Sequence, residues 1–513
     1  MAALKKRIPN YMLASVAVSL GGLAMGCDTG AIGAIMAMPA FSVSMGGPLS
    51  ATLVGLTVSL IMLTGAVPSV FAGYLADRYG RLRVIMLGAV SFGLGAAIQG
   101  AAHALPAFLA GRALAGLGEG AFLSIISVYI CEVAPARHRG ILAGLPQFLN
   151  TAGICLGYFI CYGTVGLGDG NSMAWRAPYV VQGALALSLV ACCWALPDSP
   201  RWYLLQGRRE EAVAALEKLD VALVGEDRDF LASTNQQASL GLWQGLVLLF
   251  RRGYRTRTML ALFILGMVQL SGIDGVLYYA PTLFAQAGLE SQTASFLASG
   301  LSAVLMLAIS VPAFLLADKW GRRTSAITGG VGLSGAMVLI GSLYAAGAVH
   351  PYGVARWVVI VSVYIFGLTY CSTWGIVGKI YASEIQPTHT RAAANCVAQG
   401  LGFFTNWLVA MITPILLDKS AYGAYFLFGG LALGTVLVLA AYMPETRGRS
   451  LESIQEAFSH TGSSSIMQAL RRRVGFSNRE TQENSIELDS EGGVVSTSGS
   501  ANTRGLRMEL VSA

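Results

Sequence analysis

Twelve stretches of this chain run for about twenty residues or more with hardly a charge, each bracketed by short polar or basic segments. They fall at 11–38, 51–76, 84–104, 106–131, 141–163, 178–197, 259–287, 293–317, 324–346, 354–382, 392–417 and 421–443. A membrane-crossing helix needs about 20 mainly apolar residues, so the pattern predicts an all-α membrane protein with twelve transmembrane helices. The strict alternation over roughly ten residues that marks a membrane β-strand is missing from these stretches. Gly and Ala recur within them, and such residues let helix backbones approach closely in lipid. The one long interruption, 198–258, holds "PDSPRWYLLQGRREEAVAALEKLD", with helical spacing and mixed charge, and then "RRGYRTR". It predicts a cytoplasmic helical linker between a six-helix bundle at 11–197 and another at 259–443, after a short N-terminus at 1–10.

Composition agrees with the pattern. Of 513 residues, 54% are hydrophobic and 12% charged, against about 25% charged in soluble domains. The net charge of +7 is placed by topology. Lys5, Lys6 and Arg7 precede the first span, Arg78, Arg81 and Arg83 follow the second, Arg137 and Arg139 the fourth, and Lys319, Arg322 and Arg323 the eighth. Basic residues concentrate in cytoplasmic loops, so both termini are expected in the cytoplasm; the membrane expected is the plasma membrane. The basic balance gives no support to a nucleic-acid partner; the partners expected are the lipid bilayer and a small molecule. The first apolar run is too long for a signal-peptide core and reads as an uncleaved span. Eight cysteines lie mostly within or beside spans, which predicts neither a disulfide framework nor a metal site. No glycine-rich phosphate loop with Lys-Ser/Thr is present, so ATP-driven pumping has no support. The five histidines lie in loops, near span ends or at the start of the tail, and no enzymatic role is expected. Within 444–513, the composition from about 460 turns to Ser, Gly and Thr, predicting a largely disordered cytoplasmic tail. Its Arg471, Arg472 and Arg473 read equally as a lipid-surface contact or a solvated cluster.

The two sets of six spans echo each other. "LADRYGR" after the second span returns as "LADKWGR" after the eighth, a shift of 241 residues from Asp77 to Asp318. Glu132 and Arg139 return as Glu384 and Arg391, and "PDSPR" from Pro197 returns as "PETRGR" from Pro444. One six-span unit has been duplicated, the plan of transporters whose halves rock about a midplane site. Carboxylates and guanidiniums at the helix ends can pair bidentately across adjacent helices. Asp77, Arg78, Arg81, Glu132 and Arg139 in the first half are therefore candidate gating residues. So are Asp318, Arg322, Glu384, Arg391, Glu445 and Arg447 in the second. As mere topological anchors they would explain the positive charge but not the matched Glu–Arg spacings.

Several segments, taken together, resemble the sugar porter family of the major facilitator superfamily. They are "GCDTG", "GRALAGLGEG…YICEVAPARHRG", "PDSPRW", "QLSGIDGVLYYAP", "LLADKWGRR" and "PETRGRSLE", spread over about 11–458. The resemblance implies the major facilitator fold and alternating-access transport of a monosaccharide-like solute. It places solute contacts at Gln147, Gln269 and Asn406, with Asp274 where the family has an asparagine. It places the outer-closing tyrosine pair at Tyr278 and Tyr279. Lys379 falls where the family has a tryptophan under the sugar ring, and Val268 falls where it has a first glutamine. Asp28 falls where proton-coupled members carry an aspartate, with Arg112 as its partner, so the coupling ion implied is a proton and no other cofactor is expected.

A central charge in a spanning helix costs about 2.5–3.5 kcal/mol on insertion scales, so each needs a partner or a task. Asp28 and Arg112 could couple protons or form a permanent pair. Glu119 lies seven residues beyond Arg112, two turns along the same face; it reads as a second proton site or as a structural acid bonded to Arg112. Lys379 could snorkel to the interface, pair with Asp274, or hold a solute carboxylate. The expectation is a proton symporter importing a sugar acid such as galacturonate. The alternatives are a neutral hexose or pentose carrier, a quinate or polyol carrier, and a non-transporting nutrient sensor.

Overall fold

The computed structural model describes residues 9–168, 171–221, 247–251, 255–289, 291–316, 321–350, 352–385 and 388–445. The expectations for the tail, for most of the linker, and for Asp318 and Arg447 lie outside the described residues. The same holds for the side chains of Lys379, Glu384 and Arg391.

The first half is built from α1 (Asn10–Ala37), α3 (Ala51–Tyr79), α4 (Arg81–Ala101), α5 (Leu105–Val133), α6 (Ala136–Val165) and α7 (Met173–Ala195), with a short α2 (Pro39–Ser44) after the first span. Two short helices follow, α8 (Pro200–Leu205) and α9 (Arg209–Lys218). In the second half α10 (Arg255–Gln269) and α11 (Ile273–Gln286) make the seventh span. Then come α12 (Gln292–Leu316) and α13 (Arg322–Ala345). The pair α14 (Val354–Ser372) and α15 (Trp374–Glu384) makes the tenth span, and α16 (Thr388–Lys419) and α17 (Gly423–Tyr442) complete the bundle. Twelve helical segments are long and apolar enough to cross a bilayer, and no strand occurs among the described residues.

Small residues decide how closely these helices pack. Gly22, Gly26 and Gly30 of α1 repeat every four residues and so line one face. A Cβ on Gly26 would sit 1.9 Å from the Asn150 carbonyl oxygen of α6, and one on Gly30 would sit 2.2 Å from that of Ile154. Gly153 of α6 answers with an approach to the Leu23 carbonyl of α1. The halves meet along a similar seam between α3 and α16: Gly55 abuts the Met411 carbonyl, Gly73 the Cys396 sulfur, and Gly400 the Val70 side chain.

Two spans that read as continuous in the sequence are broken. In the seventh, Gly272 takes φ +88°, a left-handed conformation that glycine tolerates without steric cost, and Phe428 of α17 fills the space a Cβ would need. In the tenth, Thr373 takes φ −128° and ψ −82°. Its hydroxyl donates back to the Thr369 carbonyl at 2.6 Å. Such breaks free backbone groups at mid-span, which a membrane tolerates only where protein or a wet cavity covers them.

Candidate solute site and its gates

The first half contributes a buried ion pair. Arg112, 0% exposed, donates through Nη1 to both oxygens of Asp28 at 2.7 and 2.8 Å. Its Nε and Nη2 are spent on the carbonyls of Thr57 and Val58 in α3, at 3.1 and 2.6 Å. Gln182 of α7 adds a weaker bond to Asp28 at 3.4 Å. The pair therefore ties α1, α3, α5 and α7 together. Glu119 is fully buried on α5, yet neither of its oxygens meets a hydrogen-bond donor. No hydrogen bond joins Glu119 to Arg112 in this structure; the bonds of the guanidinium go to Asp28 and to the Thr57 and Val58 carbonyls.

The second half contributes groups around the broken seventh span. Gln269 ends α10, and its Oε1 accepts from the Tyr370 hydroxyl at 3.3 Å. Asp274 lies in the first turn of α11, 7% exposed. A carboxylate there is favoured by the positive end of the helix dipole. Tyr278, one turn further, lies within electrostatic reach of Asp274, Glu119 and Asp28. Tyr279 donates to the Ala410 carbonyl of α16 at 2.8 Å, and buried Asn406 sits one turn from that carbonyl. Gln147 of α6 is half-buried and follows Pro146, whose carbonyl abuts Gly22 of α1. The backbone of Lys379 lies in the middle of α15. Trp374, at the start of that helix, is structural: its indole donates to the Ala326 carbonyl of α13 at 2.7 Å.

On the face opposite the arginine-rich ends, the halves are in contact. A Cβ on Gly33 of α1 would fall 1.5 Å from the Tyr278 carbonyl oxygen. The Tyr158 hydroxyl of α6 donates to the Leu277 carbonyl, and the Gln292 amide donates to the Ala37 carbonyl at 3.0 Å.

Among the described residues, the basic ends are organised by capping carboxylates and by ion pairs within the first half. Arg81 bonds Glu132 bidentately at 3.0 and 3.1 Å and Asp77 at 2.7 Å, joining α3, α4 and α5 within the first half. Arg139 makes no ion pair among the described residues, and exposed Arg78 lies over the Tyr79 ring. Asp198 of "PDSPR" accepts from the backbone N–H groups of Arg81, Leu82 and Ser199, capping α4. Burial pushes its carboxyl above the ordinary range, and those three N–H groups and Arg81 oppose the shift. Glu445 of "PETRGR" does the same for α13, accepting from Arg322 and Arg323 N–H at 2.8 and 3.1 Å. Gly80 and Gly321 give each carboxylate room: a Cβ would lie 2.4 and 2.6 Å from it. Sequence reasoning passed over Asp198, Gln182 and Tyr370. Only Asp198 left a signal, in the repeat that matches it to Glu445.

Two related six-helix halves, broken spans at mid-height and a cluster of buried polar groups between them define a secondary transporter of the major facilitator fold. A model of the "Sugar (and other) transporter" family matches residues 14–458, and the chain belongs to that family. An arabinose-proton symporter of Bacillus subtilis is 28% identical over 87% of this chain and 94% of its own length. A quinate permease of Neurospora africana is 29% identical, with 95% of each chain covered. The solved structure of a xylose transporter from E. coli, 24% identical, superposes with a TM-score of 0.72 over 86% of this chain and 99% of its own. That last likeness speaks for the fold.

Proposed function

We propose that this protein imports a sugar acid such as galacturonate by proton symport across the plasma membrane, with both termini in the cytoplasm. The observation that carries the acid is Lys379, an ammonium-bearing residue in α15, just past the break in the tenth span. A lysine at that depth needs a partner or a task, and a solute carboxylate supplies one. Asp274, at the N-terminus of α11, and the amides of Gln147, Gln269 and Asn406 suit the ring hydroxyls. Proton coupling rests on the Asp28–Arg112 pair, a carboxylate that can be protonated only by giving up its guanidinium. The arabinose-proton symporter and the quinate permease support the two parts separately: one is named for a proton and the other for an acidic polyol. Quinate is accordingly the second solute to test.

The test is exchange of labelled solute by the purified full-length chain in liposomes. Galacturonate, quinate, glucose and xylose are offered in turn. The proposal expects exchange of an acid in preference to both neutral sugars, and exchange of the neutral sugars alone would refute it. A nutrient sensor would exchange none.

A further inference from the structure

Glu119 is the buried ionisable group that the Asp28–Arg112 pair leaves out. It is 0% exposed, and both carboxylate oxygens lack a donor. Its flanks are closed backbone to backbone. A Cβ on Gly120 would lie 2.0 Å from the Gly65 carbonyl oxygen of α3, and one on Gly118 would lie 2.2 Å from that of Gly88 in α4. The charged groups in reach are Asp28 on α1 and Arg112 on its own helix. From the other half, Tyr278 of α11 lies within electrostatic reach of it.

Counting charges decides its state. Arg112 and Asp28 neutralise each other at 2.7 Å, and Nε and Nη2 of the guanidinium each donate to a backbone carbonyl. An ionised Glu119 would add a second anion beside Asp28 with neither a cation nor a donor of its own. A carboxylate so placed takes up a proton instead of holding its charge.

We infer that Glu119 carries a proton in the conformation seen here and is a second proton-carrying site, separate from the Asp28–Arg112 pair. The inference rests on the transport reading above. The step is a simple transfer. Water on one side protonates the carboxylate when that side opens, the proton rides while the site is dry, and water on the other side receives it. The Gly33–Tyr278 contact between α1 and α11 belongs to the dry state. Tyr278, shared by that contact and by the surroundings of Glu119, links solute closure to proton occlusion.

The test has two readouts on the full chain: wild type, Glu119→Gln, and Asp28→Asn as control. Infrared difference spectroscopy across a pH series shows whether a protonated buried carboxyl is present, with no solute needed. A protonated-carboxyl band in wild type that vanishes in Glu119→Gln is the expected result; in Asp28→Asn, where Arg112 loses its carboxylate and Glu119 its neighbouring anion, the same charge count expects the band to weaken. In liposomes holding a trapped pH dye, Glu119→Gln should move one proton fewer per solute. Its steady-state accumulation should fall about tenfold for each unit of imposed pH gradient. A band unchanged by Glu119→Gln, or an unchanged proton count, overturns the inference. A wild-type chain that shows the band but exchanges none of the four solutes contradicts the transport reading instead, and leaves the protonated acid standing.

Discussion

At the scale of single residues, a few buried polar groups hold the first half together, and Arg112 is the chief of them. It reaches α1 through Asp28 and α3 through two carbonyls. Removing one member of such a pair strands the other. Arg112→Leu should therefore destabilise the protein by about 3–5 kcal/mol. Adding Asp28→Asn to that variant removes the stranded charge and should return much of the loss. Thermal melting of the single and double variants in detergent checks this; a double variant no better than Arg112→Leu alone would contradict it. The residue-level chemistry was partly legible in advance. Asp28 and Arg112 stand out because charges are rare in spanning helices. Asp198 did not stand out, because an acid in a polar loop looks ordinary until the N–H groups it caps are seen.

Elements are set by the spacing of glycines and by two breaks. Every span announces itself in the sequence, since hydrophobic length is a strong signal. The breaks at Gly272 and Thr373 do not, because apolar residues continue on both sides of them. What fixes them is tertiary: Phe428 presses on Gly272, and Thr373 fits against Gly329 of α13, where a Cβ would meet its hydroxyl at 2.1 Å. The glycine seam between α1 and α6 gives a direct test. Gly26→Val drives a branched side chain into the Asn150 carbonyl and should cost at least about 1–3 kcal/mol. Gly183→Ala in α7, where a Cβ meets open space, should cost nothing. Melting temperature and the yield of monodisperse protein compare the two; equal behaviour would show that the seam tolerates separation.

For the whole molecule, the arrangement is a closed face and an opposing basic face with the polar cluster between. Closure comes from neutral contacts, Gly33 against Tyr278, Tyr158 on Leu277 and Gln292 on Ala37, which can part without stranding a charge. The ion pairs described at the basic end of the first half behave otherwise. Arg81 with Asp77 and Glu132 stays inside one half, and so holds that half rigid rather than joining it to the other. Rigid halves with a neutral, separable contact suit a rocking motion about the central groups. The charge selected at that centre is the claim on which the functional account turns, and Lys379 is where it can be tested most directly. Exchange of labelled galacturonate and xylose should be measured for wild type and Lys379→Trp side by side. The account predicts that the variant loses galacturonate exchange by roughly thirtyfold or more, the equivalent of about 2 kcal/mol, while xylose exchange is kept or gained. Undiminished galacturonate exchange in Lys379→Trp would contradict it.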